Sequence, residues 1–109
     1  MGRLIVVLDP GVVVTPADLA TAWESDEETR AVGTATVETA APGDFFGVLE
    51  LVVVPLAVNL ATNVITVLVG KLMAKLRPER PHQPDLEIAE MTRDNGDRIV
   101  VVRLHRTHQ

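Results

Sequence analysis

The chain has 109 residues, the length of one domain, and 47% of them are hydrophobic. Its net charge of −5 is unlike the basic surface that nucleic-acid binding requires, and without cysteine it forms neither a disulfide nor a thiolate metal site. Aromatic residues make up only 3%, so few side chains are available to anchor a binding partner. We therefore expect a single domain over residues 1–109, in a reducing cytoplasm, that does not bind nucleic acid.

The first forty residues contain signals for two strands and a helix. Residues 4–8 (LIVVL) are apolar on both faces and predict a strand in the middle of a sheet. The sequence TPAD from Thr15 predicts a helix start, with a capping hydroxyl, a proline in the first turn and an acidic residue that closes a capping box. Residues 24–28 are acidic and are expected to form a solvated helix end. Alternation over residues 32–39 predicts a second, half-exposed strand.

The dominant feature of the chain is the apolar stretch over residues 45–76. We interpret it as one long helix, kinked near Pro55, because proline removes a hydrogen bond and clashes with the preceding turn. Residues 52–54 are three valines, so the alternative is a strand followed by a helix that begins at Pro55. From Leu56 onward the predicted helix is apolar on all sides, and such a helix is buried in protein or in lipid. We expect it to be hidden from water on every side, by its own sheet, by further copies of the chain or by lipid.

The last third predicts a connector and a hairpin. Residues 78–84 form a stiff, proline-rich connector, and the tail at 105–109 is expected to fray. Asn95-Gly96 supplies a two-residue turn between strands at residues 85–91 and 98–104.

That turn places Met91 opposite Val100 and Arg103 opposite Ile88. The predicted order is β-α-β-α-β-β, an α+β sandwich in which a small sheet is covered by one short helix and one long apolar helix.

The apolar stretch also raises the question of a membrane. Residues 51–69 satisfy the length and charge criteria for a transmembrane helix. The candidate membrane segment includes Leu51, Pro55, Leu60, Ile65 and Val69, and the basic residues that follow it are Lys71, Lys75, Arg77 and Arg80. Against a span, the stretch contains two asparagines and a proline, and the predicted sheet needs an apolar cover. We favour burial in the core. A protein that buries this helix when idle and releases it when triggered would satisfy both observations.

Residues capable of chemistry are few and scattered. The histidines are His82, His105 and His108, and no third metal ligand lies near the last two. Ser25, the one serine, has no fixed histidine partner. The carboxylates of Asp9, Asp18 and residues 24–28 show no spacing that selects a catalytic pair. We therefore expect no catalytic residue, no metal and no cofactor.

Polar and small residues interrupt one side of the long apolar stretch. Asn59 and Asn63 are four residues apart and share a helical face with Gly70. Such residues either satisfy strand edges and loops within one domain, or select a partner helix. In the second case the candidate interface consists of Asn59, Asn63, Thr66, Gly70, Ala57 and Ala61.

Several short motifs extend over nearly the whole chain. They are Asp9-Pro10, Asp18-Leu19 with Trp23, Thr29-Arg30, Pro42-Gly43 with Gly47, Glu50-Leu51-Val52-Val53, and Asn95-Gly96-Asp97-Arg98. In these motifs the chain resembles the effector-associated constant component family of bacterial conflict systems.

The resemblance implies a small, non-catalytic partner encoded beside variable effectors, such as trypsin-like or caspase-like proteases, TIR domains or NTPase switches. It thus implies a role in antiphage defence. We expect a homo-oligomeric cytoplasmic protein that self-associates through its long helix and couples to an effector. The alternative is an executioner that inserts residues 45–76 into a membrane or forms a pore there on activation.

Overall fold

The computed structural model describes residues 2–9, 11–12, 14–40, 50–56, 61–76, 86–93 and 96–104. In that part of the chain the fold is mixed α+β, with a five-stranded sheet and three helices. The elements in chain order are β1 (Arg3–Leu8), α1 (Pro16–Ser25), α2 (Glu27–Val32), β2 (Thr36–Thr39), β3 (Glu50–Pro55), α3 (Thr62–Leu76), β4 (Leu86–Thr92) and β5 (Arg98–Leu104). The α+β class is therefore confirmed. The connector and tail predicted at 78–84 and 105–109 lie outside the described residues.

Strand β1 occupies the middle of the sheet, as predicted for residues 4–8. The strand order is β2-β3-β1-β5-β4, and β1 runs parallel to β5 and antiparallel to β3. Its five apolar residues from Leu4 to Leu8 are all at most 5% exposed. A strand with a neighbour on each side and apolar contacts on each face shows no polar alternation, which explains the continuous apolar sequence.

The two faces of the sheet carry separate apolar clusters. Leu4, Val6 and Leu8 face the helices and pack in one cluster with buried residues of α1 and α3. Ile5 and Val7 point to the opposite face, where they pack with four buried residues of the neighbouring strands, Leu51, Val53, Ile99 and Val101. The main core therefore lies between the sheet and its helices.

Helix α1 begins as the sequence predicts. The Thr15 hydroxyl accepts a hydrogen bond from the Asp18 amide at 3.1 Å, and the Asp18 carboxylate accepts one from the Thr15 amide at 3.4 Å. This reciprocal pair satisfies two amides that the first helical turn would otherwise leave without partners. Proline follows at the first helical position, where its missing N–H costs nothing.

The prediction of a solvated helix end at residues 24–28 is wrong in part. Asp26 ends α1 and is the N-cap of a second helix, α2, because its carboxylate accepts a hydrogen bond from the Thr29 amide at 3.4 Å. The buried Thr29 hydroxyl lies 2.7 Å from the Trp23 carbonyl oxygen, to which it donates. Glu24 is also engaged, since its carboxylate accepts from the Ala35 amide at 2.7 Å. These contacts fix the chain between α1 and β2.

The long kinked helix predicted over residues 45–76 is wrong, because residues 50–55 form β3. This strand pairs with β1 on one side and β2 on the other, so its backbone is hydrogen-bonded along both edges. The β-branched run Val52–Val54 suits a pleated strand that is buried on both faces. The alternative of a strand here is confirmed. The helix α3 starts at Thr62 rather than at Pro55, and it ends at Leu76 as predicted.

The hairpin between β4 and β5 is confirmed, but its register differs from the prediction by one residue. Met91 pairs with Ile99, and Glu87 pairs with Arg103. The Arg93 amide donates to the Asp97 carbonyl at 2.7 Å, so three residues rather than two lie between the last paired positions. Gly96 takes a positive φ of 91°, which a three-residue loop requires. When the register shifts by one residue, each side chain of β5 lies opposite a different residue of β4. Arg103 therefore lies opposite the Glu87 carboxylate instead of Ile88.

Candidate interaction surface on helix α3

Helix α3 has one buried face and one face turned outward. Its buried residues are Ile65, Leu68, Val69, Leu72 and Met73, four of which are completely inaccessible to solvent. Opposite them lie Asn63, Val67 and Ala74, which are exposed, and Gly70, which is half-buried. The spacings of four, three and four residues place these four positions in one line along the helix. We refer to Asn63, Val67, Gly70 and Ala74 as the outward stripe.

Within a single copy of the chain, helix α3 is not hidden from water on every side. Val67 is 67% exposed, and Val64, one turn earlier, is 41% exposed. In the described part of the chain they are two of the four large hydrophobic residues that are at least 37% exposed. The physical reason is that α3 packs on one face of a single sheet, so its far side has no described element to meet. Two neighbouring exposed valines on one helical face form an apolar patch.

One flank of the outward stripe is charged. The ammonium group of Lys71 lies 2.8 Å from a carboxylate oxygen of Glu28 and 3.4 Å from one of Asp26. Lys75 lies 3.6 Å from the same Asp26 oxygen. These ion pairs attach α3 to the junction between α1 and α2. Each of the two lysines is thus paired with a carboxylate of the same chain.

The charges at this flank shift the pKa values of Asp26 and Lys71. Burial acts to raise the pKa of Asp26, but the Thr29 amide and the Lys71 ammonium outweigh it and hold that pKa below its ordinary value. The hydrogen bond to Glu28 is the largest cause that raises the pKa of Lys71, and the Asp26 carboxylate adds to it. Both directions favour the charged forms of Asp26 and Lys71.

The other flank of the stripe is apolar. Gly70 faces Ile88 of β4, and a Cβ atom at position 70 would lie 3.6 Å from the Ile88 Cδ1 atom. Ile88 is half-buried and packs against the main core. Because Gly70 has no side chain, the helix surface is low at this point beside Ile88, and we refer to this low point as the hollow at Gly70.

The predicted interface residues lie in different surroundings in the structure. Asn63 is exposed on the stripe, Ala61 is exposed just before α3, and Thr66 and Gly70 are half-buried. Asn59 and Ala57 lie outside the described residues. The structure thus brings Asn63 and Gly70 into one line and adds two members that the sequence analysis missed, Val67 and Ala74. The sequence did hold a signal for Val67.

That signal is Lys71, which follows Val64 and Val67 at helical spacing. A lysine in line with apolar residues marks a side of the helix that reaches solvent, because an unpaired ammonium group is rarely buried. The same spacing therefore indicates that the two valines lie near the outward face.

The candidate membrane segment is divided between two elements. Leu51 lies in β3 and is buried in the sheet, whereas Ile65 and Val69 lie in α3 and face the core. Pro55 is exposed at the end of β3, and Leu60 lies outside the described residues. Over the described ranges, no helix has both the length and the apolar character to cross a bilayer. Of the basic flank, Lys71 and Lys75 form ion pairs, and Arg77 and Arg80 lie outside the described ranges.

The residues considered for chemistry hold the local structure together. The Ser25 hydroxyl donates to the Thr21 carbonyl at 2.9 Å, and the Asp9 carboxylate accepts from the Gly11 amide at 3.3 Å. Asp18 and Asp26 cap helices, as described above. Within the part of the chain that the structure describes, no group of three metal-ligating side chains is found. The three histidines lie outside it.

A buried ion pair joins β4 to β5 on the helix-facing side of the sheet. The Arg98 guanidinium lies 2.6 Å from the Glu90 carboxylate, and the two side chains are 14% and 5% exposed. The second carboxylate oxygen of Glu90 is buried and has no hydrogen-bond partner among the described residues. On the opposite face of the same hairpin, Glu87 and Arg103 form a second pair at 2.9 Å that is largely exposed.

Comparisons with known proteins return no relatives: no protein-family model, no curated protein and no solved structure matches the chain. The resemblance to conflict-system components therefore rests on the sequence motifs quoted above.

Proposed function

We propose that the chain is a non-enzymatic component of a bacterial conflict system that self-associates through the outward stripe of α3 and couples to an effector protein. The observation that carries the self-association is Val67, which is 67% exposed at the centre of an uncharged helical face. The setting in a conflict system, and an effector of the protease, TIR or NTPase type, are supported by the sequence motifs.

Burial of the exposed apolar surface supplies the free energy of association. Complete burial of a valine side chain stabilises by about 1.5–3 kcal/mol, and the part of Val64 and Val67 that is still exposed is available for this. The stripe itself has no charged residue, so two copies of a chain with a net charge of −5 can meet there without placing carboxylates against each other.

The size of the surface indicates a weak contact. Fifteen helical residues span ~22 Å, and the helix with its side chains is ~10 Å wide. Such a surface is smaller than the ~800 Å² per partner of a standard stable interface. We therefore expect association that depends on protein concentration. An effector that holds several copies close together would promote it by raising their local concentration.

Light scattering on size-exclusion fractions, repeated over a range of concentrations, tests the self-association. The native chain is expected to increase in mass with concentration, and Val67→Glu is expected to remain monomeric, because a carboxylate on each copy would have to be buried. Val37→Glu is the matched control, since Val37 is also exposed but lies on β2. A native chain that is monomeric throughout, or a Val67→Glu variant that assembles like the native chain, would contradict the proposal.

The effector coupling needs its own experiment. The products of neighbouring genes that encode protease, TIR or NTPase domains are purified and mixed with the chain. We expect one of them to form a complex of defined mass. If none of them does at micromolar concentration, the coupling is wrong, although self-association would stand.

A further inference from the structure

The arrangement of the outward stripe also fixes how two copies meet. Building on the proposed self-association, we infer that the α3 helices of two copies pack antiparallel. They are related by a two-fold axis that runs between the two helices, at the level midway between Val67 and Gly70. In this arrangement Val67 of each copy sits over Gly70 of the other.

The first argument is the sequence of large and small residues along the stripe. Val67 is the most exposed large hydrophobic residue of α3, and Gly70, one turn later, has no side chain and lies beside Ile88. An antiparallel pair places each projection in a hollow and does so twice, because the two-fold axis repeats the contact. The next layer then pairs Asn63 of one copy with Ala74 of the other, again a larger side chain against a smaller one.

A parallel pair makes poorer use of the same residues. It places Val67 against Val67 in one layer and Gly70 against Gly70 in the next. The first layer holds the helices apart, and the second then contains a void whose apolar walls lose packing contacts. Alternation of large and small residues across facing positions is what fills such a space.

The second argument is the difference between the two flanks. Lys71 and Glu28 lie on one side of the stripe and Ile88 lies on the other. An antiparallel pair brings like flanks together, so that the two Ile88 side chains are on the same side, and each Lys71 can approach Glu28 of the other copy. A parallel pair brings the charged flank of one copy against the apolar flank of the other, which removes charged groups from water without compensation.

Cysteine cross-linking tests the orientation, because the chain contains no cysteine of its own. Asn63→Cys is made in one version of the chain and Ala74→Cys in another of different length, so that the products differ in size. The two are then mixed under oxidising conditions. Antiparallel packing places positions 63 and 74 of different copies within disulfide distance. Two copies of position 74 would be ~16 Å apart along the helix axis. We expect disulfides between position 63 and position 74 well above the half that random pairing gives.

A third variant, Thr21→Cys on the exposed side of α1, measures disulfides formed by random collision. Ala74→Cys alone also tests the orientation, because two copies should be joined by a bis-maleimide reagent of ~16 Å, which adds one thiol at each end, but not by a direct disulfide. Predominant disulfides between two copies of position 74, or random pairing in a dimeric sample, would overturn the antiparallel arrangement while leaving self-association intact. A native chain that stays monomeric by light scattering overturns the proposed function and this inference together.

Discussion

Asp26 and Lys71 are 45 residues apart in the sequence, yet a carboxylate oxygen of one lies 3.4 Å from the ammonium nitrogen of the other. Asp26 is at the same time the N-cap of α2. One carboxylate therefore starts a short helix and holds the long one against it, so the position of α3 on the sheet depends partly on a local capping signal.

Asp26→Asn separates these two roles. Asparagine caps a helix as well as aspartate does, so the substitution removes the ion pair and keeps the cap. We expect a lower midpoint of thermal unfolding at pH 7. Glu27→Gln, an exposed neighbour in the first turn of α2, is the control and should change it less. Equal midpoints for the native chain and Asp26→Asn would indicate that the ion pair contributes nothing to stability.

The same ion pair gives stability a defined dependence on pH. Because the pKa of Asp26 is lowered in the folded state, its contribution is complete above the ordinary value of 3.8 and is lost as the pH falls through the lower, folded-state value. The pKa of Lys71 is raised, so its contribution is complete below 10.5 and is lost as the pH rises beyond the folded-state value. The difference in unfolding midpoint between the native chain and Asp26→Asn should therefore be constant near neutral pH and shrink at both extremes.

The elements that the sequence predicted correctly are those with a local signal. The apolar run of β1 and the cap at Thr15 each act over a few residues. The failures involve a choice that depends on distant partners. Residues 52–54 are strand because β1 and β2 lie beside them, and nothing within the stretch itself reveals those neighbours.

The hairpin and the outward stripe illustrate the same limit. Two-residue and three-residue loops both suit Asn95-Gly96 in the sequence, and the bond between Arg93 and Asp97 decides between them. In α3, helical spacing placed Asn63 and Gly70 on one side correctly. That this side faces outward depends on where the helix sits on the sheet, which no periodicity within the helix can specify.

Glu90→Gln is expected to destabilise the chain by about 3 kcal/mol, because it removes the negative charge from a buried ion pair. Glu87→Gln on the same strand is the matched control. Its partner Arg103 is half exposed, so water replaces the lost contact and the change should be much smaller. Urea denaturation measures both free energies of unfolding. Similar losses for the two variants would mean that burial does not distinguish the pairs.

Gly33→Ala is expected to destabilise the chain because there is no room for a side chain at this position. A Cβ atom there would meet the Pro55 carbonyl oxygen and lie 2.8 Å from Val54 Cγ1, so β3 would have to move. Overpacking of this kind costs about 1–3 kcal/mol. Urea denaturation should give that loss in the free energy of unfolding, and a variant as stable as the native chain would show that β3 yields freely at this point.

Gly70→Ala should have opposite effects on folding and on association. Alanine is favoured over glycine in a helix interior by about 1 kcal/mol. Its methyl group would make an ordinary contact with Ile88, at 3.6 Å. The monomer should therefore gain stability, in contrast to Gly33→Ala. The same methyl group fills the hollow that we propose receives Val67 of a second copy, so the dimer should dissociate more readily. Thermal unfolding of dilute protein measures the first effect, and light scattering at high concentration measures the second. A variant that gains stability and dimerises as strongly as the native chain would place the contact elsewhere on α3.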